Sequence, residues 1–247
     1  MRLTVLGSGD AFSGCGCNAA YLVDGRALVD CGAPVHVLVR RAAVAITDIR
    51  LVLLTHFHAD HSFMLPAVLG ACAFGRSPVQ PGLIIAGPVG TREFAYRLLR
   101  DGYGAHILGL IESRVQPVYV ALQDGSDEHL AGYRVRAHAV VHSTGPSLAY
   151  TLTDAGQTTI GFSGDSTLCP GLERAVAASD CFVSECTGWD GPVAGGHMWR
   201  EEVEGLVRTF PETAFVVSHL TERRELRGAV IAHDLLTLDI PPRADAG

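Results

Sequence analysis

Short apolar runs alternate along this chain with stretches whose apolar positions recur at helical spacing. Period-two or continuous apolar runs predict strands at 2–6, 20–24, 27–31 and 50–54. Further strands are predicted at 83–86, 115–122, 132–141, 148–153, 157–162, 181–184 and 214–218. Helical spacing predicts helices at 34–43, 61–74, 89–100, 170–178, 197–209 and 222–234. Hairpins come first and strand–helix alternation follows, which is the order expected of an α/β chain with mixed sheets and helices packed outside them. No composition break or low-complexity stretch marks a linker, so residues 1–247 are expected to form a single domain. Two apolar strands, "LVLLTHFH" and "AFVVSHLT", both end in histidine, a faint echo of two similar halves.

Composition narrows the function classes. The formal charge of −7 argues against a protein that coats nucleic acid through an extended basic surface. All 19 basic residues are arginine, and without lysine neither Schiff-base nor P-loop chemistry is available. The N-terminal "MRLTVLGSGDAF" reads as a strand entering a glycine turn, not as a signal peptide. No apolar stretch approaches the ~20 residues that span a bilayer, so no membrane partner is expected. Seven scattered cysteines do not make a disulfide framework, and a cytoplasmic protein is the expectation. Cys15 and Cys17 form a C-x-C without a second pair to complete a tetrahedral site, so structural zinc is not expected there.

The chemistry concentrates in "THFHADH", where His56, His58, Asp60 and His61 directly follow an apolar strand. At the observed residue frequencies H-x-H-x-D-H arises by chance only about 10⁻³ times in such a chain, so the cluster demands an explanation. Neutral imidazole and carboxylate together suit zinc and related divalent ions. An extended turn points His56 and His58 the same way, and a tight turn into the next helix aims Asp60 and His61 at a neighbouring position. Three more polar groups close apolar strands: His142 in "RAHAVVHST", Asp165 in "TTIGFSGDS" and His219 in "FVVSHLT". Groups at strand ends project from a sheet rim, where several loops converge. His36, His106, His129, His138 and His233 have no such pattern and are read as structural.

"THFHADH", "GFSGDS" and "VVSHLT" together resemble the metallo-β-lactamase superfamily. "LGSGDAF", "LVDCG", "DIRLVLLTHFHADHSFMLPAVL" and "HSTGPSLAYTLTD" resemble its ribonuclease Z-like branch more closely, over roughly residues 1–225. The resemblance implies a four-layer αββα sandwich with a dinuclear site along one edge of the sheets. By position, it implies that His56, His58 and His142 hold the first metal and that Asp60, His61 and His219 hold the second, with Asp165 bridging. Asp30 in "DCG" matches a position that orients a metal-bound histidine. His197 in "GGHMWREEV" matches a histidine that assists the leaving group, and Glu185 in "SECTG" a glutamate beside it. Asp60 counts with both as catalytic. Arg223 matches an arginine that meets a substrate phosphate oxygen.

Two divalent ions, zinc first and manganese or iron as alternatives, would share a bridging hydroxide and neutralise charge on a phosphoryl or carbonyl group. The tRNA-processing relatives carry a long arm between the positions of His142 and Asp165, where this chain has only residues 143–164, and a glycine and glutamate motif where it has "APVHV". The expected activity is therefore hydrolysis of a small phosphodiester, a cyclic nucleotide or a short nucleic-acid end. A lactonase or thioesterase of the same fold, a ribonuclease Z-like nuclease and a non-catalytic metal-binding protein are the alternatives. Dimers are common among such relatives, which leaves a homodimer open.

Overall fold

The computed structural model describes residues 1–76 and 81–243. The first half contains β1 (Arg2–Gly7), β2 (Ala20–Val23), β3 (Ala27–Val29), α1 (Val35–Arg41) and β4 (Leu51–Leu53). It continues with α2 (Ala59–Ser62), α3 (Leu65–Phe74), β5 (Ile84–Pro88), α4 (Thr91–Val115) and β6 (Val118–Leu122). The second half contains β7 (Asp127–Leu130), β8 (Tyr133–Val140), β9 (Ser147–Thr153), β10 (Thr159–Phe162), α5 (Pro170–Ala177) and β11 (Cys181–Cys186). It ends with α6 (Arg200–Thr209), β12 (Ala214–Leu220), β13 (Ala229–Ile231) and β14 (Thr237–Asp239).

The strands form two mixed seven-stranded sheets, in the orders β14-β1-β2-β3-β4-β5-β6 and β13-β12-β11-β10-β9-β8-β7. The continuous apolar runs have a simple cause: both faces of the central strands are covered. In β4, Leu51 and Leu53 enter a core shared with the other sheet, through Tyr150, Phe162 and Val183. Val52, between them, faces α1, α3 and α4. In β12, Val216 joins the inter-sheet core, while Phe215 and Val217 pack outward with residues of α5 and α6. Each such buried side chain contributes about 1.5–3 kcal/mol, so the layers are held by apolar faces, not by the polar rim. The result is the expected αββα sandwich.

Several elements differ from the sequence reading. No helix forms over 222–234, because "TERRELRG" offers a single buried apolar residue, Leu226, and Gly228 turns the chain at φ +83°. The segment instead supplies β13, parallel to β12 with Val216 opposite Val230. The helix predicted to end at 100 continues as α4 to Val115, with a kink at Gly104 (φ 76°), so the following strand starts at Val118 rather than 115. The predicted helix 61–74 is two helices, α2 and α3. Edge strands β7 and β14 escape a reading by apolar runs because more than half of their residues face solvent, and β13 is a run of only three residues inside the predicted helix. Among the described residues, no helix is long and apolar enough to cross a membrane.

Candidate metal centre

The ends of β4 in one sheet and of β8 and β10 in the other meet β11 and β12 at a single rim. There "THFHADH" leaves β4. His58 is extended (φ −62°, ψ 153°) at the cap of α2, whose first turn carries Asp60 and His61. The "DCG" loop after β3 pins this turn. The Cys31 N–H donates to the His61 carbonyl at 2.7 Å, and the Met64 N–H donates to the Cys31 carbonyl at 3.0 Å. A Cβ at position 32 would fall 1.6 Å from the Asp60 carbonyl oxygen, so only glycine admits this approach.

All seven residues singled out as metal ligands come together as two overlapping groups. His56, His58, His142 and Asp165 form one, and Asp60, His61, Asp165 and His219 the other. The donor atoms within each group lie within 4.8 Å of one another, and Asp165 belongs to both. Its Oδ2 is 3.7 Å from His56 Nε2, 3.8 Å from His142 Nε2 and 3.5 Å from His219 Nε2, while Oδ1 is 3.2 Å from His61 Nε2. Asp60 Oδ2 is 3.1 Å from His219 Nε2 and 3.4 Å from His61 Nε2.

The other face of each ring explains which nitrogen faces inward. His61 Nδ1 donates to Asp30 Oδ2 at 2.8 Å, and His142 Nδ1 to the Gly196 carbonyl at 3.0 Å. His56 Nδ1 lies 3.1 Å from Thr55 Oγ1, whose hydroxyl donates to Asp30 at 2.8 Å. Asp30 itself sits at φ +57°, a left-handed conformation held by the Thr55 N–H at 2.8 Å. Such outer contacts fix tautomer and ring plane before any ion arrives. His58 is the exception, presenting Nδ1, 3.0 Å from His142 Nε2.

Inward, the accounting does not close on protein groups alone. His56 Nε2, His61 Nε2 and Asp165 Oδ1 are buried with no hydrogen-bond partner. Orphaned buried polar atoms of this kind cost about 1–3 kcal/mol each, and three at one point fit a cation-binding donor set. Electrostatics agrees. Burial pushes Asp165 upward, but the imidazoles of His219 and His61 outweigh it and hold the carboxyl well below the usual range. Asp60 behaves alike, with burial opposed by the nearby imidazoles of His219 and His61, which hold it below the usual carboxylate range. Burial lowers His219, yet Asp165 and Asp60 raise it to about 9. His56 is pushed well below the ordinary imidazole value by burial and by His61. Two buried carboxylates are thus balanced by protons on imidazoles that divalent cations can replace.

His219 does not simply end its strand. It is the extra residue where the β11–β12 pairing slips, between the pairs Glu185↔Ser218 and Cys186↔Leu220, and it sits at φ +55°. A bulge of this kind re-aims one side chain without disturbing the sheet. His219 Nδ1 donates to Thr187 Oγ1 at 2.9 Å, and that hydroxyl donates to Glu185 Oε2 at 2.7 Å. Glu185 Oε1 accepts from His197 Nδ1 at 3.1 Å and from the Ser166 N–H at 2.9 Å. The structure therefore brings Glu185 and His197 together beside the cluster, with His197 Nδ1 3.8 Å from Asp165. Thr187, absent from the sequence reading, joins the two histidines. Its signal was the i+2 spacing from Glu185.

Above the cluster opens a cleft of about 660 Å³, with Asp60, Asp165, His58, His197 and His219 at its base and Phe12, Phe63, Met64 and Val193 among its walls. None of the described lining residues is an arginine. Arg223 is not brought here. Its Nη2 donates to Ser8 Oγ at 3.2 Å and its Nε to the Ala232 carbonyl at 3.3 Å, because the chain turns at 222–228 instead of starting a helix toward the cleft.

Residues 1–222 match the family described as Anti-Pycsar protein Apyc1. The chain belongs to this family. Its fold matches that of the metallo-β-lactamase fold protein YhfI from Bacillus subtilis, with a TM-score of 0.73 at 19% identity over 96% of this chain and 99% of that one, and its sequence is similar to ribonucleases Z. A ribonuclease Z of Methanosarcina acetivorans is 31% identical over 159 residues, 62% of this chain and 48% of that protein, so the match spans about half the relative's length. One from Methanosarcina mazei is 24% identical over 287 aligned positions, covering 88% of this chain and 90% of the relative. The short form of human tRNase Z superposes with a TM-score of 0.78 at 21% identity, covering 98% of this chain and 100% of that one. This last likeness is one of fold.

Proposed function

We propose that this Apyc1-family chain is a dinuclear-metal phosphodiesterase acting on small phosphodiesters, a cyclic nucleotide or a short nucleic-acid end. The observation that carries the reading is Asp165, common to both donor groups at the base of a cleft with no arginine among its described lining residues. When bound, two divalent ions, most simply zinc, supply a nucleophile at neutral pH and neutralise charge on the attacked phosphoryl group.

The chain's own residues would do the rest. Asp165 fixes the separation of the two halves of the site. Glu185 holds His197 through Nδ1, which leaves Nε2 to carry a proton to the departing oxygen. Thr187 ties that pair to His219, so the proton donor and the metal-facing ring keep a fixed relation. The cleft above leaves room for a molecule of nucleotide size.

Substrate size follows from what surrounds the cleft. Residues 143–164 form the compact hairpin of β9 and β10, joined by a turn that Asp154 caps through the Thr158 N–H at 2.9 Å. Nothing in that hairpin reaches out to grip a large RNA, and remote contacts of that kind normally supply binding energy used at the reacting centre. The seven cysteines are all free thiols, which fits a reducing, cytoplasmic setting.

The test is one panel at fixed salt and metal loading. Values of kcat/KM are measured for a cyclic nucleotide, a dinucleotide, a precursor tRNA and a simple lactone. The small phosphodiesters should lead. Preference for precursor tRNA would return the chain to the tRNA-maturing nucleases, and preference for the lactone would make it a carbon–oxygen hydrolase.

A further inference from the structure

Phe12 is 98% exposed, the most exposed large apolar side chain among the described residues. It sits in the loop between β1 and β2, and that loop is firmly built. Asp10 Oδ1 accepts the N–H groups of Phe12 at 3.0 Å and Ser13 at 2.6 Å. Asn18 Nδ2 donates to the Asp10 carbonyl at 2.7 Å. From the far end of the chain, Asp234 accepts the Ser8 N–H at 3.1 Å, the Ser8 hydroxyl at 2.8 Å and the Cys17 N–H at 2.9 Å. The ring is therefore presented by a fixed scaffold on the wall of the cleft above Asp165.

A lone exposed apolar ring is ordinary on a protein surface, but Phe12 is grouped with Phe63, Met64 and Val193 around one cleft, and such a grouping marks a binding surface. The base of the cleft carries imidazoles and carboxylates, while Phe12, Phe63, Met64 and Val193 give its wall an apolar part beside Asp10 and Asn18, and none of the described lining residues is an arginine. A polyphosphate or a nucleic-acid backbone would find no counter-charge along such walls. A single phosphodiester attached to a flat, weakly polar ring would match both ends.

We propose that Phe12 is the nucleobase platform of the cleft: the phosphodiester lies at the Asp165 end and the base stacks on the Phe12 ring. This rests on the phosphodiesterase reading and names the part of the substrate that the walls select. Base stacking on an aromatic side chain is tolerant of base identity, so Phe12 selects for a base over none and only weakly among bases. The exposed position also means that replacing it should leave the fold untouched.

The experiment compares wild type, Phe12→Ala and Phe12→Tyr, each loaded with zinc. Turnover is measured on a 3′,5′-cyclic nucleotide and on the base-free ribose cyclic phosphate. Binding of a nucleoside 5′-monophosphate and of ribose 5-phosphate is measured by calorimetry. Phe12→Ala should lose about 10-fold in kcat/KM on the nucleotide, through KM, and weaken nucleoside monophosphate binding by a similar factor. On the base-free ligands the loss should stay below about 2-fold, and Phe12→Tyr should behave as wild type because it keeps the ring. Equal losses with and without a base, or no loss with either, overturn the assignment. Wild-type protein that turns over neither phosphodiester overturns the proposed activity instead, and the calorimetric comparison still decides the role of Phe12.

Discussion

Replacing Asp165 by Ala is expected to lower kcat/KM on a small phosphodiester by at least ~10²-fold, the scale attached to removing a group that organises charge at a reacting centre. The size follows from position. Among the described residues no other side chain belongs to both the His56–His58–His142 group and the Asp60–His61–His219 group, so its loss unties the two halves at once. The fold should survive the change. Asp165 lies at the rim after β10, and the layers are held by the apolar faces of Phe162, Val183 and their neighbours. The melting temperature of the metal-loaded variant should therefore move by only a few degrees, against about 2–4 °C for each kcal/mol in a domain of this size. Near-full activity with both metals retained would remove Asp165 from the centre of the account.

His197→Ala should produce the next largest effect, and an uneven one. General acid catalysis is worth about 10²–10⁴-fold where the departing oxygen needs a proton, and little where the leaving group is already stable as an anion. An alkyl phosphodiester should thus lose activity on that scale, while a nitrophenyl phosphodiester loses far less. The geometry makes the role specific to Nε2. Nδ1 is taken up by Glu185 at 3.1 Å, and Glu185 is in turn held by Thr187 and the Ser166 N–H. Equal losses on both substrates would give His197 a positioning role toward Asp165 or His219.

The candidate metal-donor pattern is legible because it is local. His56 to His61 lie on one turn, and each distant partner follows an apolar strand whose end is easily read. Contacts that orient these groups are far apart in sequence and carry no pattern of their own. Asp30 and His61 are neighbours only because β3 and β4 pair in parallel, with Val29 opposite Leu53. The bulge that turns His219 inward arises from a slip between β11 and β12 that no single strand announces. Thr187 looked like an ordinary residue after a strand, and Phe12 like a turn residue, until the cleft assembled around them. Over 222–234 the spacing predicts a helix, but only Leu226 in its first turns is buried and Gly228 turns the chain, which leaves Arg223 bonded to Ser8 and the Ala232 carbonyl.

The most direct measurement is a metal titration of metal-free protein, with zinc added in known equivalents per chain while hydrolysis of bis-p-nitrophenyl phosphate is followed. Two donor groups that share Asp165 predict activity that rises with the second equivalent and levels off at two, with two ions per chain found by elemental analysis. Full activity at a single equivalent, with no second ion retained, would contradict the dinuclear site.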